Sequence, residues 1–165
     1  MKDLVNRRSQ DYHEYRLNAI NDLDLIASAV LALTWSRCRN KSKQSQCLIQ
    51  MDCVACVIVD NEIWLASNQW TINYEDICEL RRMYQLSCPI WIVTNGTKGV
   101  MHAEMQLVSQ LQQEGKTLQY SYMGVSKPCC MKCSQVLDKM NIDYASKHNN
   151  NVLNWEAPFV NNNQN

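Results

Sequence analysis

Apolar positions recur along this chain with two different periods, and each change of period marks a new element. Between Gln10 and Arg37 the pattern is helical: Leu23, Ile26, Val30 and Leu33 recur at threes and fours, with Ala29 beside them, which puts an apolar stripe on one face. Asn21 or Asp22 suits a cap in the middle of this stretch, so one bent helix and two consecutive helices both fit. The polar, alternately basic run Arg37 to Gln46 reads as a loop, either a solvated connection or a phosphate contact. From Cys53 the period shortens. Cys53 to Val59 and Glu62 to Ser67 are β-branched and apolar runs joined by the turn-forming pair Asp60-Asn61, which predicts a hairpin, and the first run is apolar on both faces, as a central strand requires.

Helical spacing returns at Ile77, Leu80, Met83 and Tyr84, predicting a helix over Tyr74 to Leu86 that Ser87-Cys88-Pro89 ends. Ile90 to Thr94 fits either an extra strand or a buried loop. After the turn Asn95 to Gly99, the positions Met101, Met105, Leu107, Val108 and Leu111 predict a helix closed by Gly115, with His102 and Glu104 in its first turn. Lys116 to Ser126 reads as a strand. Pro128 suits the first turn of another helix, with Cys129, Cys130 and Cys133 just inside it and Val136, Leu137 and Met140 continuing it. Asn141 to Ala145 fits a last core strand. Residues 1–148 are therefore expected to form a single α/β domain with an N-terminal helical segment, and 149–165 an Asn-rich tail in which Leu153 to Phe159 carries enough apolar surface to dock.

The chain has 165 residues, the size of one ordinary domain with a continuous core. Sixteen basic and sixteen acidic residues leave no net charge, which argues against a strongly basic nucleic-acid binder, although residues 1–50 hold eight basic and five acidic groups against three and six in residues 51–100. Nine cysteines with no readable signal peptide and no run long enough to cross a bilayer point to a reducing, cytoplasmic setting, with thiols used as core residues or metal ligands.

Candidate chemistry collects in two places. Met101-His102-Ala103-Glu104-Met105 offers an imidazole and a carboxylate, and Ser126-Lys127-Pro128-Cys129-Cys130-Met131-Lys132-Cys133 offers paired thiols. With both segments at helix starts along one sheet edge, His102, Cys130 and Cys133 supply three zinc ligands and leave a fourth position for water, the arrangement of a catalytic rather than a structural zinc. Glu104, two residues beyond His102, sits beside such a metal, where its carboxylate can carry protons. Cys53 and Cys56 also have the Cys-x-x-Cys spacing, but residues three apart on a strand point to opposite faces, so they read as small core residues.

His102-Ala103-Glu104 followed by Pro128-Cys129-Cys130-Met131-Lys132-Cys133 resembles the zinc-dependent cytidine deaminase-like superfamily, whose signature is His-x-Glu and then Pro-Cys-x-x-Cys. The order of elements follows that family over roughly residues 20 to 146. The resemblance implies a three-layer α-β-α fold around a mixed sheet, bound Zn2+, and deamination of a cytosine-type base in a nucleoside, nucleotide or single-stranded nucleic acid, with purine bases as an alternative. It implies substrate contact by Asn68, just after the second strand. One departure stands out: the thiol directly after proline is Cys129, whereas the Cys-x-x-Cys spacing belongs to Cys130 and Cys133. Cys129 is then a supporting thiol or an alternative ligand. The Ser-Lys-Pro-Cys-Cys form is similar to divergent branches that include bacterial toxin and effector deaminases. A reading of a different class is a non-catalytic zinc module in which Cys53, Cys56, Cys130 and Cys133 close a four-thiolate site; the interval between its pairs is far longer than the spacing of about 15–20 residues usual in such ribbons.

Overall fold

A computed structural model describes residues 22–37, 53–68, 71–97, 99–150, 152 and 154–161. The helical reading of Gln10 to Asn21, the basic loop beyond Arg37 and the last four residues lie outside them. The elements run α1 (22–37), β1 (Val54–Val59), β2 (Glu62–Ser67), α2 (Tyr74–Tyr84), β3 (Ile90–Val93), α3 (Ala103–Gln113), β4 (Met123–Val125) and α4 (Met131–Lys139). The strands form one mixed sheet in the order β3-β2-β1-β4, with β1 antiparallel to both β2 and β4 and with β3 parallel to β2. No helix among the described residues is long and apolar enough to cross a membrane.

The sheet is covered on both sides, in an α-β-α arrangement. Alternate residues of β1 and β2 serve opposite faces: Val54, Cys56, Ile63 and Leu65 pack with Leu23, Ile26 and Val30 of α1 and Ile77 and Leu80 of α2. Ala55, Val57, Trp64 and Ala66 pack instead with Met105, Leu107, Val108 and Leu111 of α3 and with Cys129, Cys133 and Leu137 around α4. The hairpin turn is the one its sequence predicts, with Asp60 and Asn61 both at positive φ (53° and 62°), which matches the twist of the flanking strands.

The start of α1 lies directly on the sheet. A Cβ at Gly124 would collide with the Leu23 backbone, so only glycine fits there. Cys56, the register partner of Gly124, donates its thiol to the Leu23 carbonyl at 3.0 Å. Asp24 then accepts from the Val125 N–H at 2.9 Å and ties the helix to β4. These contacts give Cys56 a packing role on the α1 face.

Several boundaries differ from the sequence reading. The strand expected over Lys116 to Ser126 is confined to Met123–Val125, because Leu118 to Tyr122 turns back on itself, with Ser121 N–H bonded to Leu118 O at 3.0 Å and Tyr120 at positive φ. Ile90–Val93, read as either an extra strand or a buried loop, is the strand, at the sheet edge with Trp91 and Ile92 exposed. In place of a continuous strand, the segment after α4 makes two parallel bridges, Tyr122 to Asp143 and Cys129 to Lys147. Between these bridges the chain swings away through Ser126 to Pro128, and that excursion delivers the thiols to the site.

Candidate metal centre and its surroundings

Two of the three candidate ligands, His102 and Cys130, fall at helix N-caps, and the third, Cys133, lies in the first turn of α4. His102 caps α3 with extended backbone and makes no side-chain capping bond, leaving its imidazole to other partners. Its loop is set by Gly96, whose φ of 69° and contact with Met101 exclude a side chain, and by Gln106, whose amide donates to the carbonyls of Ser67 (3.0 Å) and Met101 (3.1 Å). Cys130 caps α4, and its sulfur accepts the Cys133 N–H at 3.4 Å. The helix does not start earlier because Cys129 is held extended from outside: its N–H donates to Ser146 O and its carbonyl accepts from His148 N–H, each at 2.9 Å.

The two caps face each other. His102 Nδ1 lies 3.5 Å from Cys130 Sγ and 3.4 Å from Cys133 Sγ, and the three ligand atoms fall within 4.8 Å of one another. Zinc with ordinary bond lengths and tetrahedral angles requires an N···S edge of about 3.6 Å. Donor set and spacing therefore fit a zinc ion. Two helix N-termini aimed at one point also favour anionic sulfur. The contact with Cys133 and the neighbouring imidazole lower Cys130 to about 4, while the contact with Cys130 and burial push Cys133 up. The Cys130 contact raises His102.

Glu104 stands beside this cluster, outside the ligand group. It is 2 % exposed, and burial raises its carboxyl above the usual range. The Cys129 thiol hydrogen-bonds it, yet Oε2 is buried without a partner. The other polar residues buried on α3 are engaged: Gln106 as above, Ser109 by the Phe159 N–H (2.7 Å) and Gln112 by the Asn161 N–H (3.3 Å). An unpaired buried acceptor costs about 1–3 kcal/mol, a cost that a purely structural position would shed through substitution. Glu104 Oε2 is thus a buried carboxylate oxygen beside the cluster with no hydrogen-bond partner.

A cavity of about 390 Å3 opens onto the cluster and is lined by Cys53, Asn68, His102, Glu104, Cys130 and His148, among others. A larger hollow of about 560 Å3 lies along the C-terminal segment, but none of its lining residues carries an acid, a thiol or an imidazole. Asn68 is 6 % exposed; its side-chain oxygen accepts the Cys53 N–H at 2.7 Å and its carbonyl accepts the Gly99 N–H at 2.8 Å, so it also braces the loop leading to His102. Cys129 is buried outside the ligand triangle, and burial raises its thiol. Cys53 borders the cavity while Cys56 faces α1 across the sheet, so the four-thiolate set does not assemble.

Sequence reasoning did not single out Lys127, His148 and Asn154, which line the same cavity, or Trp155, whose indole N–H lies 3.3 Å from Cys133 Sγ. The adjacency of Lys127 to the thiols was a usable signal. His148 and Trp155 reach the site through contacts that no local pattern encodes.

Residues 101–159 match the OTT_1508-like deaminase family, a segment that begins one residue before His102 and includes both thiols, Glu104 and Trp155. No curated protein and no solved structure matches the chain. The family match and the His/Cys/Cys cluster together support a deaminase-like superfamily and deaminase activity.

Proposed function

We propose that this deaminase-like chain is a zinc-dependent hydrolase that converts an amino-bearing nucleobase, cytosine in the first instance, into its oxo counterpart. The observation that carries the reading is the meeting of His102 Nδ1, Cys130 Sγ and Cys133 Sγ beside a Glu104 oxygen that is buried and unpaired. His102, Cys130 and Cys133 would hold the ion, whose bound form supplies Lewis acidity and a water that is nucleophilic near neutral pH.

The protein's own groups account for the rest of the turnover. Glu104 Oε2 takes one proton as water adds to the ring carbon and passes it to the ring nitrogen, then takes the second from the resulting hydroxyl and passes it to the departing amine. The balance is one water consumed, one C–N bond exchanged for C=O, and one ammonia released. Burial, which raises the Glu104 carboxyl, brings its affinity for a proton closer to what both halves of that transfer need. Asn68, Lys127, His148 and Asn154, which line the cavity, would contact the base and what is attached to it. A cavity of about 390 Å3 is within the range of small-molecule sites and suits one nucleoside or one nucleotide unit of a single strand.

The test is ammonia release by purified zinc-loaded protein presented with cytidine, its phosphates, short single-stranded DNA and RNA, and adenosine and guanosine in parallel. Turnover with a cytosine substrate that falls at least about a thousandfold in Glu104→Gln supports the reading. Turnover unaffected by that change refutes the assigned mechanism, and activity restricted to adenosine or guanosine moves the substrate to the purines.

A further inference from the structure

Each sulfur of the cluster receives an N–H bond, but from different sources. Cys130 Sγ is served by the backbone of Cys133, an arrangement any helix N-cap provides. Cys133 Sγ is fully buried and is served by the Trp155 indole, 22 residues further along the chain. Indole nitrogen is a donor only, so it can neither ligate a metal nor accept a proton; at 3.3 Å from a sulfur it can only donate.

The indole is held from several directions. Lys132, between the two thiols, places its ammonium 5.6 Å from the Trp155 ring centre. The next residue, Glu156, accepts the Thr97 N–H at 2.7 Å and donates its own N–H to Val100 O at 3.4 Å, both in the loop that presents His102. Further on, Phe159 N–H is fixed to Ser109 Oγ and Asn161 N–H to Gln112 Oε1. The segment 154–161 thus ties the His102 loop, the length of α3 and the Cys133 sulfur together.

We propose that Trp155 is a positioning residue of the metal centre, its N–H fixing the orientation and charge of the Cys133 sulfur, and that residues 154–161 are the strap that holds it there. The inference rests on His102, Cys130 and Cys133 being metal ligands. An N–H bond to a thiolate draws density from sulfur, stabilises the deprotonated ligand and restrains its side-chain torsion. Partners of this kind are typically worth about 10–100-fold in metal affinity.

Cobalt(II) serves as the probe, titrated into the full-length chain as wild type and as Trp155→Phe, which keeps a ring against Lys132 and removes the N–H. The expected result is an affinity lower by about tenfold and a sulfur-to-cobalt charge-transfer band moved to longer wavelength, while the thermal midpoint of the metal-free protein changes little. Equal affinity within twofold and an unmoved band overturn the role of Trp155 alone. A wild-type chain that takes up no cobalt overturns the metal centre and this role with it. Glu156→Gln loosens the strap and leaves the indole in place; a smaller shift in the same direction supports the proposal. If Trp155→Phe does not fold, an unmoved band in Glu156→Gln overturns it.

Discussion

The chain holds two Cys-x-x-Cys pairs, and the sheet separates their fates. Cys53 and Cys56 lie at the start of a strand, where a spacing of three sends one thiol toward the site cavity and the other to the α1 face. Cys130 and Cys133 lie at a helix start, where the same spacing brings both sulfurs onto the His102 ring. Burial raises the first two thiols and keeps them protonated, and Lys127 near Cys53 does not offset it. In the second pair a neighbouring thiol, an imidazole and a helix N-terminus lower Cys130 and favour its thiolate. Spacing becomes a ligand pattern only once the backbone conformation beneath it is fixed.

The strongest way to break this contrast is to remove one thiol from each pair. Cys130→Ser and Cys133→Ser should each lower zinc affinity by more than about a hundredfold, beyond the loss of an outer partner, whereas Cys53→Ser should retain full zinc stoichiometry by metal analysis. Zinc lost from Cys53→Ser and kept by Cys130→Ser would reverse the assignment. A second measurement uses thiol reactivity. With Cys130 lowered to about 4 and Cys56 raised, chelator-treated protein at neutral pH should alkylate with iodoacetamide at Cys130, zinc-loaded protein far less, and Cys56 in neither state until the protein unfolds. Peptide mapping reads all three states.

Two smaller effects probe the packing side. Gly124→Ala drives a methyl into the Leu23 backbone and should cost about 1–3 kcal/mol by denaturant melt. Cys56→Ala removes the thiol that donates to Leu23 O and should cost about 1 kcal/mol with zinc affinity unchanged. A Cys56→Ala protein that binds zinc more weakly would show that the two faces of the sheet are not independent.

Local features were the legible ones. The hairpin followed from Asp60-Asn61, α3 from its apolar spacing, and the ligand triangle from thiols three apart close behind a proline. Non-local contacts set what was missed. The start of α4 moved to Met131 because Ser146 and His148 hold Cys129 extended, and no window around Cys129 contains them. The brace by Gln106 and the bonds at Ser109 and Gln112 put amides and a hydroxyl where periodicity expects apolar side chains. The docking of Trp155 depends on a sulfur 22 residues away. The unpaired oxygen of Glu104 is a property of its surroundings, which a motif cannot express.

The two facing N-caps have a thermodynamic consequence. An ion seated between them would join His102 to positions 28 and 31 residues further along the chain. Such an ion is a reversible cross-link as well as a reactant, and by linkage every hundredfold excess of free ion over its dissociation constant adds about 2.7 kcal/mol to the folded state. On the proposed reading the melting temperature of this chain would track metal availability, and withholding zinc would lower its stability along with its activity.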